Sequence, residues 1–394
     1  PSRDSKNNTW YSPVSTLPSS MSSDSTFIRT GFKKFIESLN NNNPEEAKSV
    51  ISSIINYQQE YGSALIPGKT KGNLEVIYNH VNIFKDLSYW YSAGGFILLL
   101  LFFHSLFTGK PLRRTAVRIT VTALFIGFIL HCTGLIIRGY ISEHMPWSNG
   151  YESMIYIAWA GMLAGLIFAR QNPIVLGAAA ILSGLTLFVA QMSWLNPEIT
   201  NLVPVLKSYW LTIHVAIITA SYGFFGVSAI IGILDLLLAV FQNKNNHQRI
   251  SIMIIRMTTI NQASLILGLY FLTIGTFLGG IWANESWGRY WGWDPKETWS
   301  LITILVYSFI SHMRLIPGFR GWFAINLGSV IGLISVLMTY LGVNYYLSGL
   351  HSYGSGEGLQ FPLALIIVFL FLGIIAFFAK KRGNIYEQDT DLPE

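Results

Sequence analysis

The chain has 394 residues, 51% of them apolar and only 12% charged, with positive mean hydropathy and a formal net charge of +6. A soluble domain carries about 25% charged residues, so a soluble class is excluded. Several apolar runs reach about 20 residues, the length of a bilayer-spanning helix. The positive balance does not point to nucleic acid, because Lys and Arg in membrane proteins sort to cytoplasmic loops and their positions outweigh their sum. The single cysteine, Cys132, excludes a disulfide framework, a CxxC pair or a cysteine-based metal site within one copy.

The first 25 residues are rich in Ser, Pro and Asn and read as flexible. The chain opens Pro1-Ser2-Arg3 without an initiator Met, as a processed product or the C-terminal part of something longer would. Three short helices are predicted near 26–39, 44–61 and 73–86. Pro44 followed by Glu45 and Glu46 suits a helix first turn. So small a segment leans on the membrane face or on a partner. Nine spans follow, at 88–107, 115–137, 153–170, 173–192, 208–241, 261–283, 298–313, 321–341 and 361–379, which makes an all-α polytopic membrane bundle. The fifth run is longer than a bilayer requires, so it tilts or projects.

The loops alternate in charge. One set carries Lys110, Arg113, Arg114, Arg118, Arg170, Lys244, Arg249, Arg256, Arg314, Arg320, Lys380, Lys381 and Arg382, half of the 26 basic residues. The opposite set carries only Arg138, Lys207, Arg289 and Lys296. The first set is therefore expected in the cytoplasm, which puts the N-terminal segment outside and the C-terminus inside.

Ionisable residues inside spans are functional candidates by default, although a single His is more often a satisfied buried polar group. His80 and His247 read as solvated. His214, in SYWLTIHV four residues after Trp210, and His351, in NYYLSGLHSYGSGEG, fall on the outer side. Two neutral imidazoles there suit the axial positions of haem iron. His131 and His144 compete at similar depth, and spacing alone does not separate them. His312 lies about 27 Å of helix rise below Asp294, and His104 about 24 Å into its span, both towards the cytoplasmic end.

Between Trp282 and Trp299 the chain reads WANESWGRYWGWDPKETW, with five tryptophans and Tyr290. Trp and Tyr belts at membrane interfaces explain single residues of this kind. Asp294, Pro295 and Glu297 also make a good helix start. The density goes beyond a belt. Trp287, Tyr290 and Trp291 would share a face of a short interfacial helix and stack on a macrocycle. Gly288 and Gly292 would let a flat ligand approach. Arg289 and Lys296 would pair with its carboxylates or with lipid phosphates.

These segments together resemble the haem-handling WWD proteins, specifically the CcsA (ResC) half of the System II cytochrome c synthase. The resemblance covers about residues 88–380 and rests on the WSNGYES loop from Trp147 to Ser153, SYWLTIHV, WGWDPKETW, His312 before a basic loop, and LGVNYYLSGLHSYG. The stretch YNHVNIFKDLSYW is similar to the end of the CcsB (ResB) half of fused synthases, so residues 1–87, 88–380 and 381–394 are expected as a CcsB-like end, a haem-handling domain and a cytoplasmic tail.

The resemblance implies a haem exporter and lyase of the bacterial inner membrane, working with a CcsB half. Its haem b would be attached through its vinyl groups to the CxxCH thiols of apocytochrome c. His214 and His351 would be the external iron ligands, His312 one transmembrane ligand and His104 a weaker match. Trp210, Trp282, Trp287, Tyr290, Trp291, Trp293 and Trp299 would line the haem site. The carboxylates beside the motif are Asp294, Glu285 and Glu297, and Asp294 is placed with the catalytic set. Two other readings stand: a WWD-type carrier that presents haem to a separate ligase, and a structural subunit whose tryptophans are only a belt.

Overall fold

A computed structural model describes residues 22–62, 66, 68–192, 195–200, 208–347, 349 and 363–387, and it contains no strand among them. Two compact units divide the chain, Pro1–Val76 and Ile77–Glu394.

The first unit holds an antiparallel hairpin of α1 (Ser22–Asn40) and α2 (Pro44–Gly62). The turn closes on Asn42, in the left-handed region at φ 49°. Asn43 then accepts the Glu46 N–H at 3.3 Å, and Pro44 takes the first helical position as expected. Ser38 and Ala47 are buried, and Phe27 stacks on Tyr57 with centroids 4.6 Å apart. Helix α3 (Lys69–Val81) runs into the second unit.

The second unit is a helical bundle: α4 (Ile83–Thr108), α5 (Arg114–Ser142), α6 (Gly150–Phe168), α7 (Pro173–Ala190), α8 (Tyr209–Val240), α9 (His247–Trp287), α10 (Pro295–His312), α11 (Trp322–Leu337) and α13 (Leu363–Glu387). A π turn, Met338–Gly342, and one helical turn, α12 (Val343–Tyr346), extend α11. Seven helical stretches among the described residues are long and apolar enough to cross a membrane. The nine spans read from the sequence count α10 and α13 as well.

Helix α8 is the centre, packed against α6, α7, α9, α11 and α13, while α4 packs on α7 and α5. Small residues permit the close approaches that membrane helices rely on. A Cβ on Gly95 of α4 would lie 2.6 Å from the Gly177 carbonyl oxygen of α7. Helices α8, α9 and α11 are also keyed by buried amides and hydroxyls. Asn261 Nδ2 donates to Asn326 Oδ1 at 2.7 Å and to Ser329 Oγ at 3.1 Å, and Ser228 donates to Asn261 Oδ1. Asn326 in turn donates to Thr258, which donates to Asp235.

One end of the bundle gathers basic residues. Arg382 donates to the Gln242 carbonyl at 2.9 Å, and Lys380 sits 5.8 Å from the Phe323 ring centroid. The other end is fastened by one ion pair. Arg138, counted from the sequence as a loop charge, is fully buried with Glu152, Nε to Oε1 at 2.9 Å. Arg138 also donates to Tyr78 Oη and to the Pro197 and Glu198 carbonyls. It thereby joins the residues leading into α4, helices α5 and α6, and the connection before α8.

Removing one partner of such a pair leaves an uncompensated buried charge. Glu152→Ala should therefore cost about 3–5 kcal/mol of stability, whereas replacing both Arg138 and Glu152 by Met should cost less. Thermal unfolding in detergent checks the order of the two variants.

Candidate functional site

At the Arg138 end, five segments and Thr200 of the connection before α8 surround a cavity of about 440 Å³. Its size lies in the range of small-molecule sites, roughly 300–1,000 Å³. The segments are the loop before α6, the start of α8, the end of α9 with the Trp-rich turn, the start of α10, and the π turn with α12.

The loop before α6 is held by its sequence, WSNGYES. Asn149 is the N-cap and accepts the Glu152 N–H at 2.8 Å, and Glu152 accepts the Ser148 N–H at 2.9 Å. Trp147 is thereby turned into the cavity wall. Its Nε1 donates to the Thr212 carbonyl of α8 at 2.9 Å, and its ring lies 4.7 Å from Tyr156.

His214 enters from α8. Its Nδ1 donates to the Trp210 carbonyl one turn earlier at 2.9 Å, because a carbonyl can only accept. In the neutral imidazole the lone pair then sits on Nε2, the tautomer that a metal ligand needs. The imidazole packs 5.4 Å from Trp282, and Gly279 makes room for its edge. His214 lines the cavity.

The Trp-rich segment differs from the short interfacial helix expected of it. Trp287 is the last residue of α9, and Gly288 ends that helix in the left-handed region at φ 72°, its N–H bonded to the Asn284 carbonyl. The chain then runs as a turn to Asp294. Trp287 and Trp291 are therefore not one turn apart on one helix face. The Arg289 guanidinium is folded over Gly292, into the space a side chain there would take.

Asp294, Pro295 and Glu297 form the capping box read from the sequence. Asp294 accepts the Lys296 N–H at 3.2 Å, and Glu297 Oε2 accepts the Gly292 and Asp294 N–H groups at 2.7 and 3.2 Å. Both carboxylates are turned to backbone. Lys296 instead reaches Asn344 Oδ1 at 3.0 Å inside the cavity. Burial pushes its ammonium down to about 8, with the charge of Asp294 opposing the shift.

Of the residues expected at the site, His214, Trp282, Tyr290, Trp291 and Lys296 line the cavity. Trp287 supports the wall from behind, edge-on to Trp282 at 4.8 Å. Trp293 is 70% exposed with φ 58°, and its ring meets Trp291 at a right angle. Trp210 holds His214 through its carbonyl, and the Trp299 carbonyl accepts the Thr303 and Thr339 hydroxyls. Asp294 is buried as a cap and, like Arg289, does not line the cavity. His351 lies outside the described residues.

The two competing histidines are used elsewhere. His131 is fully buried between the Tyr91 hydroxyl and the Ile155 carbonyl, and His144 bonds the Met145 carbonyl. His312 is exposed at the far end of α10 and repeats the His214 arrangement, with Nδ1 on the Ser308 carbonyl at 2.7 Å. His104 is also exposed, on α4, which packs on α5 and α7, whereas α10 packs on α9 and α11.

The site includes residues that the sequence reading did not single out: Trp147, Tyr222, Tyr340, Asn344 and Tyr345. Asn149 and Glu152 in WSNGYES were a usable capping signal for Trp147. Asn344 and Tyr345 lie in the quoted LGVNYYLSGLHSYG run without having been assigned to the site, and Tyr340 had no signal, because the π turn breaks the 3.6-residue period on which a helical face is read.

The sequence profile described as Cytochrome C assembly protein matches residues 147–351, which takes in every cavity segment. Protein NrfI of Wolinella succinogenes is 48% identical over 338 residues, 85% of this chain, and the chain spans 36% of NrfI's length. Cytochrome c biogenesis protein CcsA of Prochlorococcus marinus (strain MIT 9301) is 34% identical over 311 residues, 69% of this chain and 97% of that protein. CcsA of Synechococcus sp. (strain CC9605) is 34% identical over 292 residues, 66% and 94% of the two chains. The helices, the cavity and these likenesses agree: the chain belongs to the cytochrome c assembly family of integral membrane proteins.

Proposed function

We propose that the cavity holds haem b as substrate and presents it to the CxxCH thiols of apocytochrome c, so that the protein acts as a haem exporter and cytochrome c haem lyase with a CcsB-type partner. The observation that carries this reading is His214, whose Nε2 is the lone-pair nitrogen in a cavity walled by Trp282, Trp291 and Tyr290. Aromatic walls exclude water and stack on a flat macrocycle, and an imidazole held by a backbone carbonyl is a pre-oriented iron ligand.

His351 is the proposed second outer ligand. Two residues before it in sequence, Gly349 packs against the Asp294 and Pro295 side chains. His312 is the proposed ligand of an inner site. The different neighbours of α4 and α10 favour a second imidazole there from the CcsB-type partner rather than from His104. The charge pattern supports a bacterial inner-membrane protein with the cavity end outside and the Arg382 end in the cytoplasm.

The substrate's thiols and the haem vinyl groups supply the bonds that change. This chain supplies orientation, worth about 7–11 kcal/mol in favourable cases. Asp294 enters that work as a cap. Its carboxylate fixes the first turn of α10 and with it Lys296.

Purified protein loaded with haem tests the ligand. His214→Ala should weaken retention at least about tenfold and alter the Soret and ligand-field bands; an unchanged spectrum would sink the assignment. Asp294 separates cap from acid. Asp294→Asn keeps a good N-cap and should retain haem attachment in cells coexpressing a c-type cytochrome, whereas Asp294→Ala should cost about 1 kcal/mol of stability. Loss of attachment in Asp294→Asn with a normal haem spectrum would restore the acid role.

A further inference from the structure

The sequence around the start of α10 places a cation, Lys296, between two acids, Asp294 and Glu297. A surface helix would pair them. Here the capping box turns both carboxylates to backbone N–H groups. Among the described residues no carboxylate lies within ion-pair distance of the Lys296 ammonium, and its hydrogen-bond partner is one neutral oxygen, Asn344 Oδ1 at 3.0 Å. An ammonium carries three donors. Asp294 acts on this cation through its charge without an ion pair, and burying a charge so weakly paired is costly.

Asn344 is itself fixed. Its Nδ2 donates to the Tyr340 carbonyl at 2.7 Å, which orients the amide oxygen towards Lys296. Tyr340 is anchored in turn, its hydroxyl meeting the Gly150 carbonyl at 2.9 Å and Ser153 Oγ at 2.6 Å on α6. The π turn Met338–Gly342 contains Tyr340 and ends two residues before Asn344, so it sets the face on which both stand. π bulges occur frequently at functional sites. Lys296, Asn344 and Tyr340 all line the cavity. Arg289, the other cation of the segment, does not; it lies over Gly292.

We propose that Lys296 and Asn344 form a carboxylate-recognition subsite in the cavity, Lys296 making the ion pair and Asn344 acting as its positioning residue. This rests on the haem reading and deepens it. The ligand enters with an acid group at Lys296, and the pair selects porphyrins that keep a free carboxylate. The same chemistry occurs in fatty acids and in peptide carboxylates, and the choice of probe separates these sources.

The test is a spectral titration of the full-length protein in detergent with haem b and with haem b dimethyl ester, whose propionates are masked. Wild type should bind the diacid at least about tenfold more tightly than the diester. Lys296→Met and Asn344→Leu should bind the diester as wild type does and lose the preference. Asn344→Asp keeps the size of the side chain and an acceptor for Lys296, while giving up the bond to the Tyr340 carbonyl. It supplies a counter-charge in ion-pair contact, so on this proposal it also abolishes the preference.

Equal wild-type affinity for both probes overturns the subsite and leaves the haem reading standing. A preference that survives in Asn344→Asp overturns the positioning role. Wild type that binds neither probe overturns the haem reading, and the subsite with it. If wild type prefers the diacid and excess oleate or an acidic peptide displaces both probes equally, the carboxylate belongs to those ligands rather than to the porphyrin, and the porphyrin preference is overturned.

Discussion

Arg138 and Glu152 are both fully buried, and the cavity end of the bundle is organised around them. The guanidinium has five donors in a fixed fork, and it spends them on three separate segments: the Tyr78 hydroxyl, the Glu152 carboxylate and the carbonyls of Pro197 and Glu198. Glu152 uses its other oxygen to fix Ser148. Trp147 therefore takes its place in the cavity wall because a charge pair behind it cannot move without leaving a buried ion exposed to apolar surroundings. The connection before α8 is held by the same fork. Helix α8 then delivers His214, and its own backbone carbonyl at Trp210 sets the ring.

Much of this was legible in the sequence. Apolar length identified the helices, and of the helix starts that were read, Pro44 takes the first helical position and Asp294 caps, both as expected. The tryptophan density located one wall, and His214 was found from its depth and its neighbours. What escaped depended on features that periodicity does not encode. Gly288 in the left-handed region ends α9 after Trp287 and replaces a helical face by a turn. The π turn re-aims Tyr340 and Asn344. Arg138 looked like a topology marker, because a count of loop charges is blind to a buried partner 14 residues on. His131 resembled a ligand candidate by depth, yet a hydroxyl and a carbonyl satisfy both its nitrogens.

The capping box shows how one local motif serves two ends. A helix start needs acceptors for its first N–H groups, and Asp294 and Glu297 supply them. Their use there leaves the lysine between them without an acid in ion-pair contact. Local backbone chemistry thus determines the electrostatics of the cavity. The aromatic residues around it contribute shape, and the unbalanced charge contributes direction.

The amide lattice between α8, α9 and α11 has a consequence far from where it sits. Asn326 lies near the start of α11, keyed to Asn261 and Thr258. Asn344 stands 18 residues further along, about 27 Å of helical rise away. Sliding α11 by one turn would break each bond that Asn326 and Ser329 make with α8 and α9, so its axial setting is locked. The height of the cavity floor is thus gauged from the opposite face of the membrane, as a ruler is read from its zero mark. Breathing of the cavity then has to come from its turns, since the ruler itself does not shift.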